Sequence, residues 1–99
     1  MESMEVAKTI LDQLGGNMFI RMTGSNRFVA LEQGIGMKLV KNNSKANYLR
    51  IKLTPADEYD IDFIKVGKNK MEFIEQYTGA HFDQLQDIFT GVTGLLTKL

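Results

Sequence analysis

The sequence predicts an α+β domain: an N-terminal helix, an antiparallel meander of five or six strands and a C-terminal helix, with both helices on one face of the sheet. Apolar residues recur every three or four positions near both ends of the chain, which is typical of amphipathic helices. Between these segments apolar and polar residues alternate, and glycine- and asparagine-rich turns separate the alternating runs. A chain of 99 residues can bury one hydrophobic core but not two, so a single domain over residues 1–99 is expected.

The first helix is predicted over residues 4–14. Ser3 can cap its first turn. Its apolar stripe consists of Ala7, Ile10, Leu11 and Leu14. The helix is expected to end at Gly15, Gly16 and Asn17, because glycine and asparagine readily adopt the left-handed conformation that closes a helix.

Six segments are predicted as strands: 18–23, 28–32, 37–40, 48–54, 59–66 and 71–77. The clearest is 48–54, in which apolar residues alternate with Arg50 and Lys52, so that the two cations share one face. The polar stretch 41–46 is predicted to be an exposed loop with a mobile tip.

The second helix is predicted after Gly79. Its apolar stripe consists of Phe82, Leu85, Ile88, Phe89 and Val92. Each helix has one apolar face and the sheet needs a cover, so both helices are expected to pack on the same side. The opposite face, with Arg50, Lys52, Asp60 and Asp62, is expected to meet solvent or a partner.

The composition excludes several classes of protein. Hydrophobic residues make up 43% of the chain and charged residues 24%, which is typical of globular domains rather than of disordered segments. The absence of cysteine excludes disulfide frameworks, thiolate metal sites and cysteine nucleophiles. Acids stand at the N-terminus where a signal peptide carries positive charge, and no apolar run approaches the roughly 20 residues of a membrane span. A cytoplasmic protein without a membrane partner is therefore expected.

Positive and negative charges occupy different parts of the sequence. The net charge is zero, yet residues 21–52 contain seven basic residues and one acid, a local balance of +6. Residues 57–87 contain eight acids and three lysines, a local balance of −5. The folded surface is therefore expected to be dipolar, and head-to-tail association of two copies is one arrangement that such a surface allows.

The densest group of acids is the best candidate for a metal site. On a strand, Asp60 and Asp62 point to the same side roughly 6.5 Å apart, near enough to share a Mg²⁺ or Ca²⁺ ion. The segment lacks the glycine and distal glutamate of a calcium-binding loop. We therefore expect no metal and no other cofactor, and interpret the aspartates as solvated or as cross-strand partners of Arg50 and Lys52. A metal-dependent hydrolase built on these aspartates and Asp57 is the remaining alternative.

No catalytic constellation is recognisable. His81 is the only histidine and stands at the predicted start of the second helix, where a capping or surface role is typical. The serines fall in caps or turns, and no Gly-x-Ser-x-Gly motif marks a nucleophile. Gly34 and Gly36 lack the third glycine of a dinucleotide-binding motif. We therefore predict that the protein is not an enzyme.

The segment 38–52 is the best candidate for a binding surface. Its candidate binding residues are Lys38, Lys41, Lys45, Tyr48, Arg50 and Lys52. These cations could follow a phosphate backbone while the aromatic ring stacks on a base, which makes a nucleic-acid-binding protein the alternative hypothesis. The neutral net charge and the calculated pI near 6.6 favour a protein partner instead.

Several short motifs resemble a group of short proteins encoded by tailed phages and prophages of gut bacteria. They are Leu14–Phe19, Met22–Gly24, Leu53–Pro55 with Asp57 and Tyr59, Asp83–Leu85, Ile88 with Phe89, and Thr93–Leu95. The matched motifs are turns, caps and apolar stripes, so the resemblance assigns no site residue. It implies action in the cytoplasm of an infected host cell, by binding to a host or phage macromolecule. The leading hypothesis is therefore a non-enzymatic phage accessory protein that binds a protein partner, with inhibition of host defence as one concrete version.

Overall fold

Helices occupy both ends of the chain and strands its middle. The computed structural model describes residues 3–98, and Met1, Glu2 and Leu99 lie outside the described part. The helices are α1 (Ser3–Leu14), α2 (Gly16–Thr23) and α3 (Leu85–Thr93), with a short 3₁₀ turn (Phe82–Gln84) before α3. The strands are β1 (Asn26–Leu31), β2 (Gly34–Lys38), β3 (Tyr48–Leu53), β4 (Tyr59–Val66) and β5 (Met71–Ala80).

Within residues 3–98, the five strands form one antiparallel sheet in the order β1-β2-β3-β4-β5. The predicted meander is therefore confirmed, with five strands. Arg50 of the central strand β3 stands opposite Gly36 of β2 and Asp62 of β4. The predicted alternation in β3 is also confirmed, since Leu49 and Ile51 are buried.

The prediction of a strand over Met18–Thr23 is wrong, because this segment belongs to α2. Phe19 and Thr23, four residues apart, are buried, whereas Met18 and Arg21 are exposed. That spacing is the period of a helix and not of a strand. Thr23 Oγ1 also donates a hydrogen bond to the carbonyl of Phe19, at 2.7 Å.

Two glycines bound the second helix: Gly15 separates it from the first helix, and Gly24 ends it. Gly15 has a φ of 126° and Gly24 a φ of 69°, in the left-handed region that favours glycine. The N–H of Gly15 donates to the carbonyl of Asp12 at 3.1 Å, and that of Gly24 donates to Ile20 at 3.0 Å. The predicted end of the first helix is therefore confirmed, but a glycine signal does not say whether a strand or a helix follows it.

One hydrophobic core joins the helices to the sheet. Buried side chains of all three helices and of β2, β3 and β4 belong to it. The ring of Phe89 in α3 lies 4.9 Å from that of Phe19 in α2 and 6.4 Å from that of Phe63 in β4, measured between centroids. Burial of these rings and of the aliphatic side chains around them stabilises the fold, at about 25 cal/mol per Å² of apolar surface.

The other face of the sheet carries Arg50 and the residues whose side chains share its side. Lys52 is exposed there, as are the large apolar residues Val66, Met71 and Phe73. We call this side the open face. It is the face on which the sequence placed the charged residues of β3 and β4.

Candidate binding surface

A groove of about 620 Å³ lies on the open face. The residues that line it are Arg27, Val29, Lys38, Asn47, Tyr48, Arg50, Ile64, Val66 and Met71. Each of the five strands contributes at least one of them. None of these residues is acidic, so the groove combines apolar surface with positive charge.

The floor of the groove is apolar. Ile64 is only 1% exposed but stands outside the main core, opposite Tyr48 and Phe73 in the strand register. Around it, Val66, Met71 and Phe73 leave between 42% and 52% of their surface exposed. Large apolar residues exposed as a group mark interaction surfaces, whereas scattered ones do not.

The position of Tyr48 depends on a glycine. A Cβ atom at Gly36 would lie 1.9 Å from the Tyr48 hydroxyl oxygen and 3.2 Å from Val29 Cγ2. The Tyr48 side chain therefore lies over Gly36, in the space that a side chain at position 36 would otherwise fill. Gly36 thus allows Tyr48 and Val29 to form one continuous side of the groove.

A cross-strand row of polar groups borders the groove. Arg50 Nε and Nη2 donate to Asp62 Oδ2 at 3.0 and 2.9 Å, and Gln76 Nε2 donates to Asp62 Oδ1 at 3.0 Å. The Arg50 guanidinium carbon also lies 5.8 Å from the centre of the Phe73 ring, within the range of a cation–π contact. The predicted pairing of the basic strand with the acidic strand is therefore confirmed for Arg50 and Asp62.

The topology collects cations at one end of the sheet. This end contains the start of β1, the end of β2, the loop 39–47 and the turn between β4 and β5. We call it the basic end, and its exposed cations are Arg27, Lys38, Lys41, Lys45, Lys65, Lys68 and Lys70. None of these cations forms an ion pair within residues 3–98, although Glu72 stands opposite Lys65 in the register. The groove opens beside a concentration of positive charge.

Folding brings three of these cations from the acidic half of the sequence to the basic end. In the sequence, Lys65, Lys68 and Lys70 lie among the acids of the second half. The antiparallel turn between β4 and β5 brings them to the end where the first half has its lysines. In the folded domain, positive charge is therefore concentrated at one end of the sheet and not simply in the first half of the chain.

Asn47 attaches the loop 39–47 to the end of β4. Its Oδ1 accepts from the N–H of Val66 at 2.8 Å, and its Nδ2 donates to the carbonyl of Val66 at 3.0 Å. Lys41, Lys45 and Lys65 line a neighbouring depression of about 270 Å³. The two hydrogen bonds thus help to hold cations from two distant parts of the sequence around one depression.

Both outer strands carry irregularities that discourage pairing with another strand. The register of β5 against β4 shifts twice, between Tyr59 and Ile61 and between Phe63 and Ile64. The register of β1 shifts between Asn26 and Val29. Bulges of this kind twist a sheet edge away from a new strand. The open face is therefore a better candidate for recognition than either edge.

The structure brings together only some of the predicted binding residues. Lys38, Tyr48 and Arg50 line the groove, and Lys41 and Lys45 border the adjacent depression. The sixth predicted binding residue, Lys52, stands opposite Asp60 of β4, toward the other end of the sheet.

Sequence reasoning missed the apolar floor. In β4, Ile64 and Val66 have the same parity as Asp60 and Asp62, which assigns them to the charged face. The alternation in β4 could therefore have predicted Ile64 and Val66. It could not predict Met71 and Val29, because they join the groove through strand pairing.

The acidic residues of β4 show no metal-binding arrangement. Within residues 3–98, no group of three or more histidine, aspartate or glutamate side chains is placed to hold a metal ion. Asp62 already accepts hydrogen bonds on both carboxylate oxygens. His81 precedes the 3₁₀ turn and its backbone N–H donates to Gln84 Oε1 at 2.8 Å, as expected of a residue at a helix start.

No protein-family model matches the sequence, and comparisons with curated proteins and with solved structures find no significant similarity. The resemblance to phage proteins therefore stays a prediction. Among the described residues, no helix is both long enough and apolar enough to cross a membrane.

Proposed function

We propose that this chain is a non-enzymatic binding protein whose open face binds a protein partner. The observation that carries the proposal is the exposed apolar cluster around Ile64, beside cations that have no ion-pair partner within residues 3–98. Interfaces combine an apolar centre with a polar rim, and the groove has both. Met71 adds a flexible, polarizable side chain that adapts to the shape of a partner.

The aliphatic character of the floor favours protein over nucleic acid. Ile64, Val66 and Met71 have no ring on which a base could stack, and Tyr48 is the one aromatic residue among those that line the groove. The neighbouring Phe73 ring is already in contact with Arg50, which is paired with Asp62. The biological setting of the proposal comes from the resemblance to phage proteins. In that setting, the partner is a host or phage protein in the infected cell, and a component of host defence is one concrete candidate.

Affinity capture from phage-infected cells tests this proposal when three forms of the protein are compared. Met71→Asp places a negative charge in the groove, and Met18→Asp places one on an exposed methionine in the first turn of α2, where an acid is tolerated. A partner should be retained by the native protein and by Met18→Asp but lost from Met71→Asp. Equal recovery by all three forms, or turnover of a substrate by the purified protein, would contradict the proposal.

The basic end supports nucleic-acid binding as a second candidate function. Lys41, Lys45 and Lys65 converge on one depression, next to the groove that contains Tyr48. Phosphate backbones are bound by such groups of lysines, and the affinity falls steeply with salt.

A gel-shift titration with a labelled single strand at several salt concentrations tests this candidate. The pair Lys41→Gln and Lys65→Gln should reduce the salt slope by about one unit for each lysine that contacts a phosphate. The matched pair Lys8→Gln and Lys52→Gln, both exposed and outside the basic end, should leave it unchanged. Absence of any salt-dependent shift with the native protein would exclude nucleic acid.

A further inference from the structure

The groove has a chemical counterpart at the opposite end of the molecule. Phe82 begins the 3₁₀ turn and is 61% exposed. It follows β5, whose last residue, Ala80, pairs with Tyr59 at the end of the sheet that carries the turn between β3 and β4. We call this region the acidic corner, and it consists of Phe82 with Asp57, Glu58 and Asp83.

We propose that the groove accepts the acidic corner of a second copy of this chain. The apolar floor around Ile64 would bury the Phe82 ring, and the carboxylates of the acidic corner would meet Arg27 and Lys38. An aromatic ring is a strong anchor, because its burial removes on the order of 150–250 Å² of surface from water. This inference rests, like the proposed function, on the groove being a binding surface, but it names a different occupant.

The two surfaces cannot meet within one molecule. Ile64 in the groove floor lies five residues along β4 from Tyr59, so about 16–17 Å of extended strand separates the floor from the acidic corner. Because the net charge is zero, two copies carry no overall charge repulsion as they approach each other. Opposite charges at opposite ends therefore favour association between molecules in one orientation, head to tail.

This contact uses different patches on the two copies. After two copies join, one groove and one acidic corner remain free, so further copies can add to form an open chain or a closed ring. A protein partner that occupies the groove would end this growth. Self-association and partner binding are therefore expected to compete.

Sedimentation velocity over a concentration series tests the inference with two variants. Phe82→Asp removes the anchor and Met71→Asp charges the groove, and both positions are exposed, so circular dichroism should show native folding. Each variant alone should remain monomeric. An equimolar mixture should form a dimer and stop there, because one intact groove meets one intact corner. Met18→Asp, the control, should associate like the native protein.

Salt and a charge reversal give independent readouts. Raising the salt concentration from about 0.1 M to about 1 M shortens the Debye length from about 10 Å to about 3 Å and should return the native protein toward the monomer. Asp83→Lys should weaken self-association while leaving Phe82 in place.

Three outcomes would overturn the inference: a native protein that stays monomeric at every concentration, variants that still associate alone, or a mixture that stays monomeric. The last result would indicate a symmetric contact or none. Partner capture by Phe82→Asp separates the two proposals, since this variant keeps the groove and should still retain a protein partner.

Discussion

Glycines in β2 show how single residues shape the binding surface. A Cβ atom at Gly34 would lie 2.4 Å from the carbonyl oxygen of Ile51, which belongs to the backbone of the central strand. At Gly36 the obstacle is instead the end of the Tyr48 side chain, which can rotate away. The same substitution should therefore have different consequences two residues apart.

Alanine substitutions at three glycines test this difference by chemical denaturation. Gly34→Ala should lower the free energy of unfolding by about 2–3 kcal/mol, because β2 and β3 must move apart. Gly36→Ala should cost about 1 kcal/mol and displace Tyr48, which its NMR signals would report. Gly91→Ala, in α3 with nothing within 4 Å, should stabilise the protein by about 0.5–1 kcal/mol. Equal losses at positions 34 and 36 would contradict this account.

Tyr59 provides a pH-dependent prediction. Burial raises the pKa of the Tyr59 hydroxyl above its ordinary value, and the negative charge of Asp57 acts in the same direction. Because the folded pKa is raised, the stabilising contribution of the neutral ring is complete below pH about 10 and is lost as the pH rises through the folded pKa.

Absorbance titration of tyrosinate should therefore show a component above the ordinary tyrosine range that disappears in Tyr59→Phe. The variant also loses the hydrogen bond from Tyr59 to Gln13 Oε1, at 2.6 Å, worth about 1 kcal/mol near neutral pH. This difference in stability should shrink above pH about 10. If Tyr59→Phe instead lost a component within the ordinary tyrosine range, the assignment would be refuted.

At the level of elements, the antiparallel meander and the loop 39–47 assemble the basic end. The loop belongs to the β2–β3 connection, whereas Lys65 precedes the β4–β5 turn. The side chain of Asn47 links the two through its paired hydrogen bonds with Val66. A polar residue in a loop thus fixes the spacing of charges that are distant in sequence.

Asn47→Ala should lower the free energy of unfolding by about 1–2 kcal/mol, because two hydrogen bonds are lost. Hydrogen exchange should become faster in the loop 39–47 and at Val66 but not in α1 or α2. Asn17→Ala is the matched control, since Asn17 is exposed in α2 and alanine favours a helix. Uniformly faster exchange throughout the protein would indicate global destabilisation instead.

For the molecule as a whole, the distribution of charged residues over the surface matters more than the net charge. A protein with a pI near 6.6 and evenly spread charge would be retained only weakly on a cation exchanger at pH 7. The seven exposed cations of the basic end form a patch that a resin can bind without contacting the acidic residues elsewhere on the surface.

The native protein should therefore be retained on a cation exchanger at pH 7 and low salt. Lys41→Gln with Lys65→Gln should elute earlier than Lys8→Gln with Lys52→Gln, although both pairs change the net charge equally. Co-elution of the two double variants would show that the patch does not act as a unit.

Much of the fold could be predicted from periodicity. Strands β3 and β4 alternate clearly, and the stripe of Phe82, Leu85, Ile88, Phe89 and Val92 predicts a C-terminal helix. Leu85 and Phe89 are buried in α3, whereas Phe82 lies in the 3₁₀ turn before it and is exposed. The segment Met18–Thr23 could not be assigned from its own residues. Its helix follows from the left-handed glycines on both sides and from the burial of Phe19 against Phe89, a partner 70 residues away.

The sequence by itself determined the class of fold, the absence of cysteine chemistry and the face on which β3 and β4 carry charge, because these depend on local spacing and composition. Only the tertiary structure decided that Lys65, Lys68 and Lys70 join the basic end and that Val29, Ile64 and Met71 meet in one groove. Strand pairing sets these positions, and pairing depends on contacts between residues far apart in the chain. The charged face predicted from β3 is therefore, in the folded molecule, an apolar groove with a basic rim.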